Sequence, residues 1–249
     1  MSPGSVVVTG ANRGIGLGLV QQFVKDENIK HIIATARDVN QATELHAIKD
    51  SRLHVLPLAV TCDESIDKLV AKVTEIVGED GLNLLVNNAG RAIPFPIRDG
   101  SRAALTEQLE VNTVSVVLVT QKFLPLLIKA ASKTSGDSLS VSRAAVVTIS
   151  SGMGSIGDNT SGSGPWNGLG YRMSKTAVNQ FARTLSVDLK DDHVLAVNFC
   201  PGWVQTDMGG KQAALTVEQS TSELVASFNK LSNEHNGGYF RRDLSVIPF

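Results

Sequence analysis

Cysteine is scarce: Cys62 and Cys200 are the only two in 249 residues. Two cannot build the disulfide framework of a small secreted domain, and each lies in or beside an apolar stretch, where a buried thiol is the expectation. A reducing, cytoplasmic setting fits. An excess of either charge is lacking too, since 23 Lys and Arg face 24 Asp and Glu for a net charge of −1. Without a long run of one sign, neither nucleic acid nor an acidic membrane surface meets an electrostatic footprint, and small molecules are the expected partners. No apolar run approaches the ~18 residues of a membrane span, and no repeat at solenoid spacing is visible. The opening MSPGSVVVTG has neither the basic start nor the apolar stretch of a leader. Asn159-Thr160-Ser161 is a formal glycosylation sequon without a secretory context. The five histidines, His31, His46, His54, His193 and His235, are scattered and make no ligand spacing with either cysteine, so no metal site is expected.

What is there is a chain 42% hydrophobic and 19% charged, enough to build one large core in a single domain spanning 1–249. Short β-branched or apolar runs at 5–9, 31–35, 53–58, 83–86, 144–149 and 194–199 are strand candidates. They lack polar alternation, as strands covered on both faces do, and the segments between them show helical periodicity. An α/β fold with a parallel, doubly wound sheet follows. Helices are expected at 17–25, 65–77, 102–131, 171–189 and 217–231. In the fourth, Ala177, Val178, Phe181, Ala182, Leu185 and Leu189 recur at threes and fours as one apolar stripe. Asp63 or Glu64 is placed to cap the second. The Ser- and Gly-rich stretches 132–143 and 152–170 read as loops.

The first strand runs into Thr9-Gly10-Ala11-Asn12-Arg13-Gly14-Ile15-Gly16, after which a helix begins. Glycines suit such a turn because a Cβ would block it and hold the backbone away from a pyrophosphate, whose charge the amides at the helix start stabilise. Taken alone, it is also what an ordinary glycine-rich βα turn looks like. Its TGxxxGxG spacing departs from GxGxxG and resembles the short-chain dehydrogenase/reductase family. Further motifs follow in that family's order: Asn87-Asn88-Ala89-Gly90, Asn112, Ser150-Ser151, Tyr171-Arg172-Met173-Ser174-Lys175 and Pro201-Gly202-Trp203-Val204-Gln205-Thr206. The resemblance covers residues 5 to about 208. Within the family, the TGANRGIG turn and Thr35-Ala36-Arg37-Asp38 are most similar to the group of carbonyl reductases that includes the sniffer proteins. It implies a single Rossmann domain with a parallel sheet of about seven strands and helices on both faces. It also implies a dinucleotide held by Gly10, Asn12, Arg13, Gly14, Ile15, Gly16, Asn88, Ala89 and Gly90, with Pro201, Gly202, Val204 and Thr206 at the nicotinamide.

An acidic residue at the end of the second strand would favour NAD by bonding its ribose hydroxyls. Ala36 stands there instead, followed by Arg37, while Arg13 lies in the glycine turn near the same ribose. Two guanidinium groups bind a 2′-phosphate through fork-like, charge-assisted bonds, so NADP(H) is the expected cofactor. Asp38 is placed to compete by pairing with Arg37. The family's adenine-contacting Asp is replaced by Ala59, which leaves the backbone near Val60, or packing, to hold the adenine.

Tyr171 and Lys175 lie one helical turn apart on one face. A phenol with a pKa of about 10 shuttles protons poorly near neutrality, and a neighbouring ammonium, with the charge of an oxidised nicotinamide, would lower it. The resemblance implies that Tyr171 protonates a carbonyl oxygen as hydride arrives from NADPH and that Ser151, the second of its pair, stabilises that oxygen. It further implies that Lys175 also holds the nicotinamide ribose and that Asn112 holds a water linking Lys175 to solvent. Tyr171 follows Ser151 by twenty positions, more than the family's usual spacing, which marks 158–168 as an insertion. With Pro165 and Trp166 it either walls the substrate pocket or is a loose surface loop. Family members commonly pair through the helices at 102–131 and 171–189, so a homodimer is expected.

Two rivals come from other classes. Gly136-Asp137-Ser138-Leu139 spells a hydrolase nucleophile motif, but it sits in a polar loop and no histidine has an Asp three residues before it. A nucleotide-binding sensor or scaffold without turnover is the other, and intact Ser151, Tyr171 and Lys175 argue against it.

Overall fold

The structure is a computed structural model describing residues 2–249. The six expected strands form: β1 (Ser5–Val8), β2 (His31–Ala36), β3 (Leu53–Pro57), β4 (Leu84–Asn87), β5 (Ala145–Ile149) and β6 (Leu195–Cys200). A seventh, β7 (Tyr239–Arg241), completes the sheet from a segment with no strand signal of its own. All neighbours pair in parallel in the order β3-β2-β1-β4-β5-β6-β7. The winding direction reverses between β1 and β4, which opens a crevice at the carboxyl ends of those strands.

Strand alternation divides the core between two faces. Val6, Val8, Val86, Val147 and Val197 pack with Leu19, Val20 and Phe23 of α1 (Gly14–Val24) and with Leu224 and Phe228 of α7 (Val217–Phe228). Val7, Ile33, Leu85 and Val146 pack on the other face with Ile66, Leu69 and Val73 of α3 (Asp63–Val77) and with Val119, Phe123 and Leu127 of α5 (Ser115–Ala131). Each such side chain contributes about 1.5–3 kcal/mol on burial. Coverage of both faces is why the central strands carry no polar alternation. A short helix, α2 (Thr43–Ala47), fills the β2 to β3 connection, and α6 (Leu169–Asp188) buries Val178 and Ala182 of the expected stripe.

Several local expectations are corrected. Asp63 and Glu64 do not cap α3; they occupy its first turn, where their charge favours the positive helix end, and Cys62 takes the cap position without a side-chain bond. Cys62 is exposed as a result, and only Cys200 is buried. The helix expected at 102–131 is present and continuous, as α4 (Arg102–Leu109), a π turn at Glu110–Val114 that the sequence did not announce, and α5. Counted as one, Arg102–Ala131 is long and apolar enough to cross a membrane, unlike the expectation that no such segment exists. Its Val119, Phe123 and Leu127 are instead spent on the sheet.

Candidate active site

The motif residues meet at the carboxyl ends of the strands. After β1, Gly10 and Gly14 take positive φ (64° and 55°), which an L side chain disfavours. At Gly16 a Cβ would stand 2.3 Å from the Gly10 carbonyl oxygen and 2.6 Å from Asn88 Nδ2. Gly16 is thus the close-packing glycine of the turn, without which α1 could not start this near the end of β1. Arg13 is extended at the head of α1 and gives no side-chain cap, so the first-turn amides at Gly14, Ile15 and Gly16 point outward with the helix dipole behind them. The Asn88 side chain donates to the carbonyls of Thr9 (2.9 Å) and Gly10 (3.0 Å), while Thr9 Oγ1 accepts from the amides of Asn88 and Ala89, both at 3.0 Å. The NNAG segment thus ties β4 to the glycine turn. Thr9 is a residue that sequence reasoning passed over; its place at the strand end beside the glycines was the available signal.

Arg37 is exposed just beyond β2. Asp38 does not compete for it: its carboxylate accepts from Asn40 N (3.0 Å) and Gln41 Nε2 (2.7 Å), capping the turn Val39–Gln41. Arg13 has a partner that the sequence did not reveal, an ion pair with Asp207, both side chains being exposed. At Ala59 the amide donates to Ser65 Oγ (2.9 Å) and the carbonyl accepts from Cys62 N (3.0 Å). The Ala59 backbone is thus engaged within the protein, with the half-buried Val60 beside it.

Ser150 and Ser151 part company at the end of β5. Ser150 Oγ turns into the core and bonds Asn179 Oδ1 at 2.6 Å, whereas Ser151 is half-buried and its Oγ accepts from Met153 N at 3.2 Å. Ser151 also reaches the phenol of Tyr171. Lys175 is 6% exposed; its Nζ donates to Ile149 O at 2.8 Å and lies 5.7 Å from the centre of the Tyr171 ring. Burial pushes Tyr171 up to about 12, against a smaller pull from the Ser151 hydrogen bond. Burial also pushes Lys175 down to about 8. Among the chain's own groups burial is the largest influence on the phenol, and the Lys175 ammonium is bonded to a backbone carbonyl.

Asn112 sits fully buried in the π turn, a geometry that often marks functional sites. Its amide nitrogen donates to Arg91 O (2.9 Å) and Ser174 Oγ (3.1 Å), and its oxygen accepts from Arg91 N (2.9 Å). Gly90 bridges the two groups: a Cβ there would lie 3.3 Å from Asn112 Oδ1 and 3.8 Å from Lys175 Nζ.

The loop at 158–168 is docked. Phe95 N donates to Asn167 O at 2.7 Å, Arg172 reaches Ser161 Oγ at 2.8 Å, and Trp166 meets Tyr171 edge-on with ring centres 5.6 Å apart. The segment after β6 closes the opposite side. Gly202 takes φ +85°, Val204 is buried and bridges to Leu215, and Thr206 touches the Gly14 position. Trp203 is 58% exposed, its Nε1 held by Gly209 O. Ser138 of the hydrolase-like motif is exposed in the loop leading into β5, at the other end of the strands from this crevice.

This fold and this ordered set of groups define a dinucleotide-dependent dehydrogenase or reductase. Residues 5–215 match the short chain dehydrogenase family, and the chain belongs to it. The carbonyl reductase Sniffer of Caenorhabditis elegans is 66% identical, with full coverage of both chains and a TM-score of 0.93. The carbonyl reductase Sniffer of D. melanogaster is 37% identical over 99% of this chain and 100% of its own (TM-score 0.95). The NADPH-bound carbonyl reductase of chicken fatty liver is also 37% identical, covering 100% and 95% (TM-score 0.96).

Proposed function

We propose that Tyr171 is the acid that protonates the oxygen of a ketone, aldehyde or quinone. The chain is an NADP-dependent oxidoreductase of the carbonyl reductase type. The observation that carries the proposal is the meeting of Ser151, Tyr171 and Lys175 at the mouth of the crevice. NADPH, when bound, supplies the hydride. The glycine turn and the amides of Gly14, Ile15 and Gly16 receive its pyrophosphate; Arg37, and Arg13 on exchanging Asp207 for phosphate, receive its 2′-phosphate. Asn12, Val60, Asn88, Ala89 and Gly90 line the way, and Pro201, Gly202, Val204 and Thr206 border the nicotinamide end.

Ser151 donates its hydroxyl hydrogen to the substrate oxygen and stabilises its developing charge. Tyr171, kept neutral by burial, gives that oxygen its proton. Lys175 lies within reach of a ribose hydroxyl and of the phenol. Asn112 spends both amide hydrogens on Arg91 and Ser174, so a water that it helps to hold meets its backbone or its oxygen. Trp166 beside the phenol, with exposed Ile156, Trp203 and Met208 on the loops after β5 and β6, suits an apolar or aromatic carbonyl compound. A homodimer through the helix at 102–131 and α6 accords with the exposed Val114, Met173 and Val187 on them; a monomeric mass in sedimentation refutes it. The free thiols Cys62 and Cys200 accord with the cytoplasm.

The test is loss of reduced-cofactor absorbance with NADPH and a panel of quinones, aldehydes and ketones. Turnover is expected, and Tyr171→Phe is expected to lower kcat by about 10²- to 10⁴-fold with cofactor binding kept. Saturable binding of NADPH without turnover of any carbonyl would establish the sensor reading instead. Turnover that survives Tyr171→Phe removes the acid.

A further inference from the structure

The Ser150 to Gly152 turn is held from beneath at each residue. Ser150 Oγ bonds Asn179 (2.6 Å), Gly152 N donates to Cys200 Sγ (3.0 Å), and the Ser151 carbonyl accepts from the hydroxyl of Tyr239. Tyr239 lies in β7, 88 positions away, and is 1% exposed. Its register partner is Asn198, so its side chain faces α6 while Phe240 joins the opposite core. Asn179 and Ser150 are also within reach of the hydroxyl.

The chain beyond β7 returns to the same segment. Ile247 N donates to Tyr239 O (2.8 Å), the Phe249 ring lies 5.7 Å from that of Tyr239, Ser155 Oγ donates to Pro248 O (2.5 Å) and Gly157 N to Phe249 O (3.0 Å). A phenylalanine would fill the same space. A buried phenol costs free energy unless its hydroxyl is bonded, and here the bond goes to the backbone of the residue that faces the substrate. Burial pushes the Tyr239 hydroxyl up, which keeps it a neutral donor.

We propose that Tyr239 is a positioning residue: its hydroxyl, by holding the Ser151 carbonyl, fixes the peptide that presents Ser151 Oγ to the substrate oxygen. The inference rests on the reading of Ser151 given above. An oxygen-binding donor acts through preorganisation, within roughly 0.5 Å of its working place. Ser151 is extended (φ −161°, ψ 145°), and its Oγ already accepts from Met153 N, leaving its hydrogen for the substrate. The Ser151 carbonyl also accepts from Gly154 N (2.8 Å), and the N–H of the same peptide is held by Cys200 Sγ (3.0 Å), so loss of the phenol hydroxyl removes one of three restraints and widens the range over which the 151 peptide, and Oγ with it, can tilt.

The experiment is a double-mutant cycle of Tyr239→Phe and Ser151→Ala, measuring kcat, KM and NADPH affinity on one carbonyl substrate that the wild type turns over. Tyr239→Phe is expected to lower kcat by about tenfold, a fraction of the 10²- to 10³-fold that losing such a donor costs. KM and NADPH affinity should stay within twofold (a margin of ~0.4 kcal/mol), and no further loss is expected in the Ser151→Ala background. Ser155→Ala, which frees the tail and keeps Tyr239, is expected to give a smaller loss of kcat that also vanishes without the serine; it carries the test if Tyr239→Phe does not fold. A kcat for Tyr239→Phe within twofold of wild type, or an equal loss with and without Ser151, overturns the proposal and leaves the hydroxyl a packing feature. Full activity of Ser151→Ala overturns the reading of Ser151 itself, a different outcome.

Discussion

Replacing Lys175 by methionine is expected to stabilise the protein while removing its activity. The ammonium sits on α6 at 6% exposure, bonded to Ile149 O at 2.8 Å, and burial lowers its pKa from 10.5 to about 8. The unfolded chain therefore binds this proton more tightly. Stability from this group rises with pH between about 8 and 10.5; below 8 the penalty is complete, and above 10.5 it is gone. At about 1.36 kcal/mol per unit, the penalty is about 3 kcal/mol at pH 7 and about 1.4 kcal/mol at pH 9.5. Methionine keeps the stem and loses the hydrogen bond, worth about 1 kcal/mol. The net gain of about 2 kcal/mol at pH 7 corresponds to a Tm higher by roughly 4–8 °C for a chain of this size. At pH 9.5 the two proteins should melt nearly together. Thermal unfolding at both pH values without added cofactor, with NADPH consumption measured alongside, is the assay. A Lys175→Met protein melting at or below wild type at pH 7, or an offset unchanged at pH 9.5, refutes the burial argument.

Arg37→Asp replaces an exposed guanidinium with the acid that suits NAD, and loss of one charge-assisted fork predicts a fall in kcat/KM with NADPH of roughly 10- to 100-fold. Equal relative efficiencies with NADPH and NADH before and after the change would remove Arg37 from the phosphate site. Asp207→Asn frees Arg13 from its ion pair; because such surface pairs are weak, NADPH affinity should tighten only about two- to fivefold by fluorescence titration. Weaker binding would mean that Asp207 aims Arg13 usefully. Gly16→Ala places a methyl 2.3 Å from the Gly10 carbonyl oxygen, so the turn must open and NADPH affinity should drop more than about 100-fold. Calorimetry giving a Kd within tenfold of wild type contradicts that.

Much of this was legible in the sequence because β-branched runs buried on both faces and a glycine turn leave local marks. The six strands from the β3 edge through β6 were read from such runs, as was the twofold covering by helices. β7 was not, since three residues gain their conformation only by pairing with Asn198 to Cys200. The π turn at Glu110–Val114 was hidden because Val111, Asn112, Thr113 and Val114, though weak helix formers, continue the helical pattern around them, and only the tertiary bonds from Asn112 to Arg91 and Ser174 single the turn out. Cys62 was misjudged because an apolar neighbourhood in sequence became a cap position at the surface. In the site, Tyr171 and Lys175 were apparent from their spacing, whereas the Arg13 to Asp207 pair and the reach of Tyr239 to Ser151 join residues far apart in the chain.

The state of the phenol also bears on direction. From the sequence, Tyr171 is expected to be tuned toward neutrality by the Lys175 ammonium together with the charge of an oxidised nicotinamide. In the folded chain burial holds Tyr171 near 12, and Lys175, itself near 8, points its ammonium at Ile149. A phenol in that state is protonated across the neutral range and can give a proton to a carbonyl oxygen; it cannot take one from an alcohol until its pKa falls or the pH rises. If Tyr171 is the acid, its burial prepares it to give a proton near neutral pH, and alcohol oxidation, which needs the phenolate, should gain rate as the pH rises.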